Sequence, residues 1–279
     1  MAATRLYKSE LVELAQRCPT DTLRRYVRRY TAWRDSDCRV VRRRHVPAGT
    51  VPLIINFTAR VRLSSSTARL WSEHQAFTAG LHDAFTISES TGPNLGVQVD
   101  FTALGARLFY NRPLDDFANR SVECSDVLGL AGDRLASRLF DASTWDERFD
   151  LLDAEIAARI GAARSLPPEI EWTWRMLTRS AGGLRIAALR DEIGWSERHF
   201  AGTFRREFGL APKGFARVLR FGRAVDALSS GEAAPLADVA LACGYYDQAH
   251  FNRDFQRFAG VTPRALLDSR SSPGPGFSA

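Results

Sequence analysis

Two clusters of polar side chains carry the chemistry of this sequence. The first holds Ser196, Arg198, His199, Arg205 and Arg206, and the second Gln248, His250, Asn252, Arg253 and Arg257. An arginine fork donates two parallel hydrogen bonds to a guanine edge or a phosphate, and Asn or Gln matches the edge of adenine. Serine and histidine complete a set suited to base edges and phosphates. A generic solvated helix would mix Glu with Lys instead.

The elements that must position these residues form a repeat. Ser196, Phe200, Phe204, Gly209 and Pro212 recur as Asp247, Phe251, Phe255, Gly260 and Pro263, each pair 51 residues apart. Each copy has a capping side chain, two aromatics four apart on one helix face, a glycine stop and a proline that opens the next helix. The aromatics face a core, so the polar clusters lie opposite them. Upstream of each cap, 185–193 before Gly194 and 236–243 before Gly244, the spacing predicts a shorter apolar helix. Helix, glycine turn, second helix is a helix-turn-helix. Between the copies, Phe215, Val218, Leu219, Val225 and Leu228 predict one connecting helix over 213–228, about 24 Å long at about 1.5 Å per residue. Such a connector would place the two units in successive major-groove segments, about 34 Å apart.

With the repeat in hand, residues 184–267 resemble the DNA-binding domain of the AraC/XylS family of bacterial transcription regulators. The resemblance is carried by Gly194-Trp195-Ser196-Glu197-Arg198-His199-Phe200, by Phe204 to Pro212, by Arg220-Phe221-Gly222-Arg223-Ala224, by Asp238 to Phe251, and by Phe255, Gly260, Val261 and Pro263. It implies a first recognition helix over 196–208, with Arg198 reading a base and Arg205 and Arg206 near phosphate. The second would span 247–258, exposing Gln248, His250, Asn252 and Arg253. Two residues depart from the family pattern. Gly202 stands where a long polar or basic side chain is usual, and Arg190 stands where a small alanine is usual and where the second copy has Ala240. Arg190 must therefore either change the packing or snorkel outward.

The N-terminal part is similar to sensor domains of this family, small cupin-like barrels followed by helices that dimerise. Leu104-Gly105-Ala106-Arg107 and Pro47-Ala48-Gly49-Thr50 suggest it. The resemblance implies double-stranded DNA as partner, a small-molecule effector in the N-terminal domain, a homodimer and contact with RNA polymerase. It implies activation or repression according to where the sites lie, and no cofactor.

The rest of the chain fits that organisation. Its 279 residues, 45% apolar and 25% charged, allow two domains with substantial cores. β-type runs at 51–57, 84–87 and 96–101 alternate with turn residues, predicting a small antiparallel sheet or barrel. Leu139, Phe149, Leu152 and Ile156 then form a helical stripe. Pro167-Pro168 breaks it. The expected fold class is α+β: an N-terminal small, cupin-like β-barrel with helices, and a C-terminal all-α domain of two helix-turn-helix units joined by a linker helix. The expected divisions are 1–163 for sensing and dimerisation, 164–168 as linker, 169–268 for DNA binding and 269–279 as a disordered tail.

A net charge of +6, mostly from arginine, suits a polyanionic partner. Cys18, Cys38, Cys124 and Cys243 form no CxxC pair, so they read as reduced thiols. No leader or membrane-spanning run is evident, which predicts a cytoplasmic protein, and the regulator reading predicts a non-enzymatic one. The alternative is a cupin-like enzyme or protein-binding module with an accessory DNA-binding domain. It would need metal ligands from His45, His74, His82 and Glu73, whose spacing matches no HxH motif. A further alternative makes the basic stretch 24–30 a separate nucleic-acid contact.

Overall fold

The computed structural model describes residues 3–37, 39–65, 70–230, 235–269 and 276–278. In chain order the strands are β1 (Arg5–Lys8), β2 (Val12–Arg17), β3 (Val27–Asp35), β4 (Val41–His45), β5 (Thr50–Asn56), β6 (Val61–Ser65), β7 (Trp71–His74), β8 (Ala76–Ala79), β9 (Thr86–Ser90), β10 (Asn94–Thr102), β11 (Ser121–Glu123) and β12 (Phe277–Ser278). The helices are α1 (Ala103–Phe109), α2 (Cys124–Leu128), α3 (Leu130–Asp141), α4 (Trp145–Gly161), α5 (Pro168–Arg179), α6 (Ile186–Ile193), α7 (Glu197–Phe208), α8 (Pro212–Ser229), α9 (Leu236–Ala242), α10 (Gln248–Ala259) and α11 (Pro263–Asp268).

The strands form two antiparallel sheets, β1-β2-β3-β10-β5-β8-β11 and β12-β4-β9-β6-β7. The barrel expected from sequence is therefore not closed, but a sandwich of the jelly-roll kind, and it begins earlier than the β-type runs suggested. Strands β1 to β3 come from 5–35, where charged residues hide the alternation.

The pleat sorts the side chains of the central strands. On β5, Val51, Leu53 and Ile55 are buried in the main core, while Pro52, Ile54 and Asn56 line a cavity between the sheets. On β10, Val97, Val99 and Phe101 point to the core, and Asn94, Gln98 and Asp100 to the cavity. Period-two alternation with both faces covered explains why polar residues sit in a central strand.

The outer face of the larger sheet is covered by α1 and α4. The stripe read from sequence is buried as expected, with Leu139, Phe149, Leu152 and Ile156 all 0% exposed. Helix α4 starts in a capping box in which Thr144 accepts from the backbone of Glu147 and the Glu147 carboxylate accepts in return. Tyr30 stacks on Phe149 at 5.7 Å and donates its hydroxyl to Asp153 at 2.7 Å. The basic stretch 24–30 is tied into this structure: Arg24 pairs with Asp21, Arg25 with Glu171 and Arg29 with Asp100. Three of its four arginines thus have carboxylate partners within the fold.

The remaining helices share the same continuous core. Of the expected tail, Arg270 to Pro275 and Ala279 lie outside the described residues, as does Cys38. The part that is described does not behave as a loose tail, because Phe277 pairs with Arg44 on the edge of β4. Among the described residues, no helix is long and apolar enough to cross a membrane.

Candidate nucleic-acid interface

Each copy of the repeat folds as its punctuation dictates. Ser196 caps α7 by accepting from His199 N, and Asp247 caps α10 by accepting from His250 N. Gly194, Gly209 and Gly260 end α6, α7 and α10 in left-handed conformation, with φ of 76°, 89° and 68°. The preceding helices α6 and α9 complete two helix-turn-helix units. The connecting helix α8 has 18 residues, or about 27 Å.

Helix α8 is the spindle of this arrangement. Phe215 meets Phe204 of α7 at 5.8 Å, and Phe221 meets Phe255 and Phe258 of α10 at 4.9 and 5.1 Å. All five rings are at most 1% exposed. Arg217 of α8 adds an ion pair to buried Asp254 at 2.5 Å. The two reading helices are thus held by neighbouring turns of one rod.

The predicted polar residues lie where the repeat places them. Ser196, Arg198, His199, Arg205 and Arg206 are exposed, as are Gln248, Asn252, Arg253 and Arg257, while His250 is half-buried. His199 packs against Trp195 at 4.3 Å, and His250 meets Tyr245 edge-on at 5.2 Å. Two of the ten are engaged by ion pairs: Arg206 with Glu207 at 3.1 Å, and Arg257 with Asp83 of the β8–β9 loop at 3.0 Å. Arg190 takes the outward course, pairing with Asp191 at the surface, while Ala240 is fully buried.

Sequence reasoning missed the groups that seat these helices on the strand-rich half. Glu207, near the end of α7, is buried against Arg107 of α1 at 2.6 Å. Leu114 N donates to the carbonyl of Arg206 at 3.2 Å. Gly209 follows, and a Cβ there would meet the Leu114 carbonyl at 3.0 Å. The end of α10 docks similarly, with Arg44 donating to the Ala259 carbonyl at 2.5 Å. One signal was present in the repeat. The position 51 residues beyond Glu207 is Phe258, a buried ring, so a carboxylate at that site required a buried partner.

A family model described as a helix-turn-helix domain matches residues 189–269, the span that carries both units. Residues 189–269 are thus an AraC-type helix-turn-helix domain. Through that domain the chain is a DNA-binding protein. A second model, "Domain of unknown function (DUF6597)", matches residues 15–123, the greater part of both sheets. No curated protein matches this chain. Among solved structures, ToxT from Vibrio cholerae O395 is 10% identical over 86% of this chain and 96% of that one, with a TM-score of 0.47. Unsaturated fatty acid bound ToxT from Vibrio cholerae strain SCE256 is also 10% identical, over 94% and 96%, at 0.49. A probable AraC family regulator from Rhodopseudomonas palustris CGA009 is 25% identical over 37% and 96%, at 0.33.

The second feature of this chain is the cavity between the sheets, about 390 Å³ in volume. Leu14, Trp33, Ile54, Leu63 and Phe77 give it apolar walls, and Arg29, Gln98 and Asp100 form a linked polar corner. Val225 of α8 and Phe277 of β12 also border it, so the cavity touches both the spindle and the C-terminal strand. The four candidate metal ligands scatter. His45 bonds Ser88 at 2.8 Å, His82 bonds the Gly80 carbonyl, His74 bonds Glu123, and Glu73 is exposed.

Burial holds His45 neutral and pushes its pKa down to about 4, with Arg43 and His82 adding repulsion. The unfolded chain takes up this proton near pH 6.5, so stability falls as pH drops from about 6.5 to about 4. The loss from this group is at most about 3 kcal/mol, because the ring is only half-buried at the cavity wall. In urea titrations across that window, His45→Asn is expected to flatten the slope. An unchanged slope would show that His45 titrates normally in the folded chain.

Proposed function

We propose that α7 and α10 read two segments of one DNA face, with Arg198, Gln248, Asn252 and Arg253 at base edges and Ser196, His199, Arg205, Arg206, His250 and Arg257 at or near the backbone. The observation that carries this reading is the exposed polar face repeated on both helices and locked to one rod through Phe215 and Phe221. We assign 169–268 to this task, 164–168 to a linker and 1–163 to sensing.

The chain acts as a cytoplasmic, non-catalytic regulator. The cavity receives a small molecule, and its contact with Val225 gives that molecule a direct mechanical route to α8. A homodimer is supported by Leu130 and Phe140, exposed on α3 at 71% and 54%. RNA polymerase is the further partner through which a bound regulator would act.

The test is selection from genomic DNA with the purified full chain, followed by sequencing. A bipartite motif with half-sites about one helical turn apart is expected. Arg198→Ala and Arg253→Ala should each weaken the best site by about 1–3 kcal/mol and relax the sequence preference in one half. Uniform enrichment, with the variants indistinguishable from the parent, would reduce the surface to nonspecific basic binding. A thermal-shift screen on the full chain tests the cavity, where a stabilising ligand whose effect disappears on Ile54→Trp is expected.

A further inference from the structure

The first reading helix carries a glycine that the fold does not explain. Gly202 sits in the middle of α7, in unbroken helix, and it is exposed. A Cβ at this position would meet nothing within 4 Å. Gly105 and Gly182 differ, because a side chain there would strike the carbonyls of Tyr26 and Ala216. Neither backbone conformation nor packing requires glycine at 202, while a helix interior favours almost any other residue.

The surroundings point outward. Ser196, Arg198, His199, Thr203 and Arg206 border a shallow concavity at Gly202, about 400 Å³ in volume. His199, Gly202, Thr203 and Arg206 follow at i, i+3, i+4 and i+7, so they form one stripe along the helix. No carboxylate stands on the rim, and hydrogen-bond donors approach from both ends. The equivalent position in the second unit, 51 residues on, is the exposed Arg253. At the same place the two units have opposite relief: a gap in the first and a long cation in the second.

We propose that the sugar–phosphate strand of duplex DNA seats in this notch, and that Gly202 is its point of closest approach to the α7 backbone. The proposal rests on α7 being a DNA-reading face, as argued above. Close approach of a ligand to the main chain is one of the few conditions that favour glycine inside a helix. Arg206 then reaches a phosphate beside the crossing, while Arg198, at the other end of the notch, stays turned to a base edge. DNA therefore lies nearer the helix axis in the first unit than in the second, where Arg253 holds it off.

Gly202→Ala tests this with one added methyl. The full chain is titrated against a fluorescein-labelled duplex pool of random sequence, about 40 base pairs long, and against single duplexes drawn from it, at fixed salt. The expected result is a melting temperature about 2–4 °C higher with binding roughly tenfold weaker on every duplex. Higher stability with unchanged or tighter binding would overturn the notch. A loss confined to some sequences would also overturn it, by placing base edges there instead. Arg198→Ala in the same assay separates the two levels. If it binds like the parent, α7 is not the DNA face and the underlying reading falls as well. If it weakens binding while Gly202→Ala does not, only the notch falls.

Discussion

Glu207→Ala is expected to cost about 3–5 kcal/mol of stability in urea denaturation, far more than the loss of a surface ion pair. The reason lies in what it leaves behind. Arg107 is 7% exposed, its Nε bonds the Glu207 carboxylate, and its Nη1 has no hydrogen-bond partner among the described residues. Without Glu207 that guanidinium keeps its charge in a place water hardly reaches. Replacing both partners with apolar residues, Arg107→Met with Glu207→Leu, is expected to recover most of the loss, because the stranded charge is the costly part. If Glu207→Ala costs less than about 1 kcal/mol, the pair is solvated in solution and α7 is not seated on α1.

Phe221→Ala is the second large effect, expected at about 3–5 kcal/mol from lost burial and the cavity it leaves. Its signature is local. Phe221 contacts α10 through Phe255 and Phe258, whereas Phe215 contacts α7 through Phe204. Hydrogen exchange should therefore quicken in α9 and α10 for Phe221→Ala, and in α6 and α7 for Phe215→Ala. Six residues of helix separate the two rings, about 9 Å along the axis, which is far enough for the lesions to stay distinct. Equal acceleration of both units in either variant would count against the spindle and favour one cooperative helical block.

The helical half was largely legible because its signals are local. Ser196 and Asp247, the paired phenylalanines and the terminal glycines all lie within one helix length of what they specify, and the caps form where the spacing put them. The strand-rich half was legible only in part. Val51, Leu53 and Ile55 alternate visibly, but β1 and β2 read as Arg-Leu-Tyr-Lys and Val-Glu-Leu-Ala-Gln-Arg, where edge position and the polar Glu13 and Arg17, bonded to α4, blur the pattern. Closure of a barrel depends on which strands pair across 50 or more residues of chain, as β3 and β10 do, and no short window contains that information. The cavity was invisible for the same reason, since Arg29 and Asp100 become neighbours only once those strands align. Among the site residues, exposure followed from helix periodicity. The engagement of Arg257 by Asp83, like that of Glu207 by Arg107, belongs to the docking of the two halves and left no trace in local spacing.

The pleat of β5 and β10 sets a rhythm for how this protein tolerates change. A substitution at Leu53 alters how firmly the molecule holds together, and one at Ile54, its next neighbour, alters what the chamber admits. The two properties are written on alternate letters of the same strand. A systematic scan along 50–56 should therefore give a two-beat trace, with melting temperature dipping at one set of positions and ligand preference shifting at the other. A descendant of this chain could come to answer a different molecule in steps of two residues while its framework stays intact.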